Sequence, residues 1–350
     1  MKTQKSLLAA IVFAGGSLSF AGPSEAAERW LFNCFFPPQH YICTEVLPEL
    51  KNRVEAATGK RVRVTIPPKS LAAPPDQFDG VVNGVMDGAL QFNQFISNRV
   101  AGIQVGQLPF VGIESSEAGS VALWKTYQQF FADKNEYGDV HLLSVYASNG
   151  AEFYSMTDKP IGSVDDIAAR KMWALPGVTA NLVKATGSPV VAGPAVQMLE
   201  IISKGVVDGY VGVPISSVLE FKLGDYTRSA TVFKRKVFTP TFSFFVSNKK
   251  WAAVSQTDRE AIDRALGEDF ARFVGRRADK AQQAGRRHLE EKKIAMVDGD
   301  PKMLDALDAY GQPVIDAWVE RVGKMGVDGR KAVAFYRGML AQEERALSAR

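Results

Sequence analysis

The sequence predicts an α/β fold that is divided into two lobes joined by strands. Apolar strand-like segments alternate with amphipathic helical segments along most of the chain, starting at residues 30–35, as is typical of sheets covered by helices. The chain has 350 residues, and a single hydrophobic core rarely extends over so many. The sequence shows neither internal repeats nor a low-complexity linker. We therefore expect two lobes that are connected by hinge strands rather than by a flexible tether.

The N-terminus is typical of a secretory signal peptide, to which we assign residues 1–27. Lys2 and Lys5 provide the positive start of such a peptide. Residues 7–20 are mostly apolar, and small residues at 24–27 offer a cleavage site. The apolar run is shorter than the roughly 20 residues that a membrane-spanning helix needs. The mature chain is therefore predicted to be soluble and exported.

The composition argues against nucleic-acid and metal binding. Acidic and basic residues are interspersed, and the formal net charge of +4 is too mild for a nucleic-acid partner. The histidines, His40, His141 and His288, are far apart and lack the spacing of metal ligands, so we expect no metal and no cofactor. Cys34 and Cys43 leave two alternatives open, which are a disulfide that closes a small loop and two buried free thiols.

The first lobe is predicted to comprise residues 28–150 and about 244–275. Its first helix begins near Tyr41, because apolar residues recur every four positions from Ile42 onward, and Gly59 ends it. Similar patterns predict the other elements of this lobe, which are strands at 61–66, 89–93 and 140–146 and helices at about 78–88 and 121–131.

The second lobe is predicted to comprise residues 151–243 and about 286–350. Ser163 followed by Asp166 is typical of a helix start, since the hydroxyl caps the first turn and the acid suits its positive end. A charged helical pattern at about 258–293 predicts one long helix that lies across both lobes. The strands predicted here are 171–174, 189–191 and 206–211, with 241–247 returning to the first lobe.

The segment 149–173 carries the most specific pattern in the chain. It contains Asn149-Gly150, Pro160-Ile161, an aspartate-rich helix start at 164–167 and Lys171-Met172-Trp173, in that order. This arrangement resembles the signature segment of the solute-binding proteins of tripartite ATP-independent periplasmic (TRAP) transporters. Further segments that resemble this family in order and spacing are 58–62, 82–87, 107–110, 187–190, 203–209 and 247–251.

The resemblance implies a two-lobed periplasmic binding protein fold with hinge strands and a long helix that braces the lobes. A receptor of this kind closes on one small solute and delivers it to a membrane permease made of a small and a large subunit. It performs no chemistry, and we expect a monomer in the periplasm. Two other functions stay open. One is a receptor that signals to a membrane sensor, and the other is an exported enzyme, although the sequence lacks the nucleophile-elbow, zinc-protease and phosphate-loop motifs.

The resemblance also bears on the solute, because two arginines that bind carboxylates in the family are replaced here. Glu152 stands at one arginine position and Trp173 at the other. A carboxylate and an indole face favour a cation, so we predict a small cationic amine, an ethanolamine-like amino alcohol or a quaternary ammonium solute. The other ligand-binding residues that the family positions imply are Asn93, Phe92, Tyr154, Tyr210, Phe36 and Tyr41.

Other interpretations of these residues stay open. Glu152 is also compatible with a salt bridge between the lobes or with a solvated hinge position, and Trp173 with core packing. The alternative solute is an organic acid in a non-standard pose, held by Arg99, Lys171 or backbone N–H groups.

Overall fold

Within residues 27–349, which the computed structural model describes, the strands form two separate sheets. The predicted signal peptide lies outside these residues, apart from Ala27. The strands are β1 (Glu28–Asn33), β2 (Val62–Thr65), β3 (Gly88–Phe92), β4 (Val140–Ala147), β5 (Glu152–Ser155), β6 (Met172–Ala174), β7 (Val190–Ala192), β8 (Gly209–Val213), β9 (Ser229–Val232), β10 (Thr241–Ser247) and β11 (Ala295–Asp298).

The helices cover both sheets and connect their strands. The α-helices are α1 (Leu47–Ala57), α2 (Gln77–Val82), α3 (Ser116–Phe130), α4 (Val164–Ala168), α5 (Val178–Ala185), α6 (Met198–Ser203), α7 (Ser216–Glu220), α8 (Asn248–Ala252), α9 (Gln256–Ala265), α10 (Gly267–Glu291), α11 (Pro301–Gly323) and α12 (Gly329–Ser348). Short 3₁₀ segments occur between them, and a π-helical turn, Ile42–Val46, leads into α1.

The first sheet has the strand order β2-β1-β3-β10-β4. Its first three strands are parallel, whereas β10 pairs antiparallel with both β3 and β4. β2 alternates between buried and exposed residues, as the polar-apolar pattern of 61–66 predicts for a half-buried strand. β10 is buried on both faces up to Val246, because it lies between two other strands and is covered by helices.

The second sheet has the strand order β11-β9-β5-β8-β6-β7. The chain enters this sheet through residues 148–151 and leaves it through 233–240. The two crossings are hydrogen-bonded to each other, since the Ser148 N–H donates to the Pro240 carbonyl at 2.8 Å and the Ala151 N–H to the Phe238 carbonyl at 2.9 Å. The two sheets are therefore joined by paired backbone segments, as the absence of a linker in the sequence predicts.

α10 lies against both lobes, and two glycines allow the close approach. A Cβ atom on Gly275 would lie 2.4 Å from Glu117 Cα in α3 of the first lobe. A Cβ atom on Gly285 would lie 2.7 Å from Ser216 Cα in α7 of the second lobe. Both distances are shorter than real Cβ contacts, so only glycine fits at either position.

The helical region that the sequence predicts as one helix at about 258–293 is two helices in the structure. α9 ends at Ala265 and α10 begins at Gly267, whose φ is +48°. The Ser144 hydroxyl donates to the carbonyl of Gly267, the first residue of α10, at 2.7 Å. A tertiary contact from β4 therefore accompanies the break between the two helices.

The C-terminal helix α12 lies beside the first sheet, although the predicted second lobe included residues 286–350. Tyr336 and Leu340 belong to the same apolar cluster as Leu123 of α3. Glu343 accepts a hydrogen bond from Lys125 of α3 at 3.2 Å. Packing against α3 places this helix with the first lobe, and the exact division of the chain between the lobes stays a prediction.

Cys34 and Cys43 form a disulfide, with their Cα atoms 6.0 Å apart. Of the two alternatives that the sequence leaves open, the structure has the bridge. It closes a loop between β1 and the π-helical turn, and Phe35, Phe36, His40 and Tyr41 lie inside this loop. We call residues 34–43 the disulfide loop.

Removing the bridge should destabilise the folded chain moderately. Closing a loop of this length restricts the unfolded chain by about 2–3 kcal/mol, so we expect Cys34→Ser with Cys43→Ser to lower the free energy of unfolding by that amount. Urea denaturation with and without reductant measures it. Reduced wild type should match the double variant, and equal stability of the variant and oxidised wild type would contradict the prediction.

Candidate solute-binding pocket

A small, partly open pocket lies between the two lobes and receives side chains from both. It offers about 50 Å³ to the centres of water-sized molecules. The first lobe and the crossings contribute mainly rings, which are Phe35, Phe36, His40, Tyr41, Phe92, Phe95, Tyr146 and Phe242, together with Pro74, Ser148 and Pro240. The second lobe contributes Leu175, Pro194, Ala195, Val213, Pro214, Ser216, Ser217 and Phe221.

The register of three neighbouring strands builds one wall of the pocket. Phe242 of β10 lies opposite Phe92 of β3 and opposite Tyr146 of β4. Residues directly opposite each other point to the same face of a sheet, so the three rings lie side by side. The Phe242 ring stacks on Tyr146, with centroids 4.7 Å apart, and lies 5.4 Å from Phe92.

The disulfide loop builds the adjoining wall. Phe36 stacks on His40 with ring centroids 4.0 Å apart and lies 5.9 Å from Phe242. The Tyr41 and Tyr146 hydroxyls lie close to each other, which brings the loop against the sheet. The bridge thus fixes the ends of a segment that supplies four of the pocket's side chains.

His40 is neutral at physiological pH. Its Nδ1 atom accepts a hydrogen bond from the Ile42 backbone N–H at 3.2 Å, which places the ring proton on Nε2. Burial lowers the pKa of His40 to about 3. The described residues that line the pocket therefore include hydroxyl, imidazole and backbone groups but no charged side chain. The pocket can surround an apolar ring and offer neutral hydrogen bonds to a polar head group.

Three of the residues predicted from the sequence, Phe36, Tyr41 and Phe92, line this pocket. Asn93 lies next to the wall but faces the neighbouring strand. Its amide donates to Thr241 Oγ1 at 2.9 Å and its carbonyl oxygen accepts from Ser243 Oγ at 2.6 Å. Asn93 therefore holds β3 to β10 in the structure.

The other predicted aromatic residues lie inside the second lobe. Tyr154 and Tyr210 stack at 4.4 Å and are fully buried, and Trp173 lies beside Tyr210 on the next strand. The Tyr154 hydroxyl donates to the Val213 carbonyl at 3.2 Å, and the Tyr210 hydroxyl bonds to Thr227 Oγ1 at 2.7 Å. These rings are packed as core side chains behind the pocket.

Trp173 keeps one free polar group near the pocket. Among the described residues, its Nε1–H is a buried donor without a hydrogen-bond partner. A Cβ atom on Gly193 would lie 3.7 Å from this nitrogen. Gly193 is followed by Pro194 and Ala195, which line the pocket. The indole N–H thus lies beside a glycine that immediately precedes two pocket-lining residues.

Glu152 is engaged in an ion pair at the hinge. It is fully buried at the end of the first crossing, and its carboxylate binds the Lys236 ammonium of the second crossing. The Phe233 backbone N–H also donates to it at 3.3 Å. Burial raises the pKa of Glu152 to about 7, and the attraction of Lys236 opposes this rise. The carboxylate is thus occupied by protein groups and does not line the pocket, in keeping with the salt-bridge interpretation of the sequence.

Neither of the cations considered for an organic acid lines the pocket. Arg99 forms an ion pair with Asp79 at 2.8 Å on the surface of the first lobe. Lys171 is exposed at the start of β6. Within the described residues, no group of three His, Cys, Asp or Glu side chains could hold a metal ion.

Several lining residues were not predicted from the sequence, among them Phe242, Tyr146, His40 and Phe221. Phe242 and Tyr146 fall in segments that were predicted as strands. The missing information was which face of each strand points to the pocket, and strand pairing alone decides that.

Comparison with known proteins assigns this chain to a family. Residues 32–321 match the family described as bacterial extracellular solute-binding protein, family 7 (DctP). The chain is 33% identical over 311 residues to a Comamonas testosteroni protein named outer membrane transporter protein TsaT, which covers 89% of this chain and 91% of that protein. Between residues 27 and 349, none of the helices is long and apolar enough to cross a membrane.

Two solved structures show the same fold. A TRAP periplasmic solute-binding protein from Bordetella bronchiseptica, with bound (R)- and (S)-mandelate, is 27% identical and superposes with a TM-score of 0.84 over 90% of this chain and 99% of that one. A TRAP solute-binding protein from Rhodoferax ferrireducens T118, in complex with copurified benzoate, is 24% identical, with a TM-score of 0.79 over 91% and 99% of the two chains.

These similarities confirm the two-lobed α/β fold and the resemblance that the signature segment predicts. TRAP solute-binding proteins are periplasmic receptors rather than enzymes, and they bind small solutes and work with membrane permease subunits. The chain belongs to the bacterial extracellular solute-binding proteins of family 7 and is a periplasmic solute-binding receptor of the TRAP type.

Proposed function

We propose that this receptor captures an aromatic carboxylic acid with a single ring. The observation that carries the proposal is the composition of the interlobe pocket, which is lined by aromatic rings and a few hydroxyl groups and by no charged side chain among the described residues. Stacked and edge-on rings favour an aromatic guest over an aliphatic one of the same size.

The volume of the pocket supports one ring. A water molecule needs roughly 10–15 Å³ of space for its centre and fills about 30 Å³ of liquid, so a pocket that offers about 50 Å³ holds roughly four waters, or about 120 Å³ of solute. That volume suits a benzene ring with one small substituent. A second ring would require the lobes to open further.

A carboxylate in this pocket would be held by neutral donors instead of an arginine. The Tyr41, Tyr146 and Ser148 hydroxyls line the pocket, and we propose that the carboxylate also reaches the free Nε1–H of Trp173, which lies beside Gly193. Hydrogen bonds to charged groups contribute about 1.5–3 kcal/mol each, so two or three of them offset the loss of water around a carboxylate. The mandelate-bound relative, at 27% identity, supports an aromatic acid in this position.

The second candidate solute is the small amine or quaternary ammonium compound that the sequence predicts. The rings of Phe36, Phe92 and Phe242 favour it, because aromatic faces attract cations by about 0.5–2 kcal/mol each. The carboxylate that motivated this prediction, Glu152, is paired with Lys236. A cation would therefore meet rings without a counter-charge, and for this reason we rank it below an aromatic acid.

The remaining parts of the proposed function follow the family. We propose that residues 1–27 are a cleaved signal peptide, that the receptor acts as a monomer, and that it delivers its solute to the small and large membrane subunits of a TRAP permease. The interlobe position of the pocket supports delivery by opening of the lobes.

A solute panel tests the proposal. We expect mandelate and benzoate to raise the melting temperature, because a ligand at about 100 times its Kd stabilises the folded state by about 2.7 kcal/mol. Succinate, ethanolamine and choline should have no effect, and benzyl alcohol serves as the matched aromatic compound without a charge. Stabilisation by choline alone would support the second candidate and reject the first.

A substitution at Trp173 sharpens the same test. Trp173→Phe removes the free N–H and keeps an aromatic ring, so it should weaken mandelate binding by about tenfold, which is about 1.4 kcal/mol. Binding of benzyl alcohol should change less. Isothermal titration calorimetry measures both, and equal losses for the two compounds would show that the indole acts only through packing.

A further inference from the structure

The disulfide loop contacts the second lobe beside the pocket. His40 and Phe36, both in the loop, lie 5.9 Å and 6.4 Å from the ring of Phe221, which belongs to the second lobe. Glu220 precedes Phe221 at the end of α7. The wall that the first lobe builds around the pocket thus ends against two consecutive residues of the opposite lobe.

Glu220 faces polar groups of the disulfide loop. Its Oε2 atom lies 4.0 Å from His40 Nε2, the nitrogen that carries the ring proton. The Tyr41 backbone N–H stabilises the same carboxylate. The Glu220 side chain is only 14% exposed, and that of His40 only 6%. A ring nitrogen and a backbone N–H of one lobe therefore lie near one carboxyl group of the other.

We propose that Glu220 is a positioning residue that holds the aromatic wall of the disulfide loop against the second lobe when the receptor is closed, and that closure thereby takes up a proton. The contact joins the lobes directly, independently of the hinge crossings and of α10. It lies next to the solute, because His40, Tyr41 and Phe221 all line the pocket.

The surroundings of Glu220 determine whether its pKa is raised or lowered in the closed receptor. Burial raises its pKa to about 7, the Tyr41 N–H opposes this rise, and the carboxylate of Glu45 adds to it. Glu45 is itself paired with Arg277 of α10 at 3.5 Å. His40 stays neutral, since its pKa is lowered to about 3. Glu220 is therefore the group of this contact that titrates near neutrality.

Opening of the lobes returns Glu220 to water and to an ordinary carboxyl pKa. The closed form then binds the proton more tightly than the open form does. The proton on Glu220 stabilises the closed form, and this stabilisation is complete below the ordinary carboxyl pKa. It is lost as the pH rises through about 7. Solute binding, which requires closure, should follow the same dependence.

Glu220→Gln tests the inference, because glutamine keeps the size and the hydrogen-bonding oxygen but cannot titrate. We expect wild type to bind mandelate about fivefold or more tightly at about pH 5.5 than at about pH 8, since mandelate stays ionised across this range. Glu220→Gln should bind almost equally at both pH values. Glu200→Gln, at an exposed position of the same lobe, is the matched control and should behave as wild type does. A wild-type pH profile in Glu220→Gln would overturn the inference.

The inference rests on the proposed function only because mandelate is the solute used to measure binding. Should mandelate fail to bind wild type at either pH, the aromatic-acid proposal fails, and hydrogen exchange of the backbone amides of residues 36–43 then tests the contact without solute. Protection of these amides should rise as the pH falls from about 8 to about 5.5 in wild type, after correction for intrinsic exchange, and not in Glu220→Gln. Equal protection profiles in the two proteins would overturn the role of Glu220.

Discussion

Replacing Lys236 by methionine should lower the stability of the receptor by about 3–5 kcal/mol, because it leaves the buried carboxylate of Glu152 without its partner. The ion pair has almost no solvent access, with side-chain exposures of 8% for Lys236 and 0% for Glu152. Lys236 also packs over Gly150, where a Cβ atom would lie 2.2 Å from its Cγ. Methionine keeps most of this packing, so the loss reports mainly on the charge.

Thermal unfolding and urea denaturation measure this loss, and we expect a melting temperature that is lower by roughly 5–15 °C. Lys204→Met is the matched control, because Lys204 pairs with Glu200 on the surface and such pairs contribute about 1 kcal/mol or less. Adding Glu152→Gln to Lys236→Met removes the unpaired charge and should restore part of the stability. A double variant that is less stable than Lys236→Met would contradict the role given to the buried charge.

The same pair predicts a pH dependence of stability. The pKa of Glu152 is raised by burial to about 7, so the folded state holds its proton more tightly than the unfolded state does. The stabilisation that the folded state gains by holding this proton is fully present below the ordinary carboxyl pKa. It is lost as the pH rises through about 7. The difference in unfolding free energy between wild type and Glu152→Gln should therefore change between about pH 5 and pH 8, and a constant difference would argue against it.

Ala195→Trp should abolish solute binding with little effect on the folded chain. Ala195 lines the pocket from the second lobe and is only partly buried, so a larger side chain can be accommodated by a slight opening of the lobes. An indole is as large as the roughly 120 Å³ of solute that the pocket can hold. We expect the affinity for mandelate to fall by about 100-fold or more, which is about 2.7 kcal/mol.

Isothermal titration calorimetry with mandelate measures the affinity, and the melting temperature without solute reports on the fold. Ala195→Ser is the matched control, because it changes the polarity at this position without filling the pocket. It should bind mandelate within about threefold of wild type. Binding of mandelate to Ala195→Trp with wild-type affinity would show that the solute lies elsewhere.

The sequence was sufficient for the fold and the family, and only partly for the site. Alternating strands and helices and the signature segment at 149–173 depend on local spacing, which sequence patterns record directly. The partner of Glu152 lies 84 positions away in the chain. Without that partner in view, a carboxylate at an arginine position pointed to a cationic solute, whereas in the structure Lys236 binds it.

The residues that line the pocket could also be predicted only in part. Phe36, Tyr41 and Phe92 could be predicted because the family positions lead to them. Phe242 lies in a predicted strand in which Phe244 and Phe245 are equally apolar. Its orientation toward the pocket depends on pairing with Phe92 and Tyr146 across two strand boundaries. The break between α9 and α10 is not visible in the helical spacing for a related reason, since it lies at the left-handed backbone conformation of Gly267.

The two glycines of α10 restrict how the lobes can move. Gly275 and Gly285 are about 15 Å apart along the helix axis, and each brings the helix backbone against a different lobe. Sliding of either lobe along the axis would push its backbone into the neighbouring side chains of α10. Tilting about a line near these two contacts keeps both of them intact, so we expect opening to be mainly a rotation, small beside α10 and largest at the rim of the cleft farthest from it.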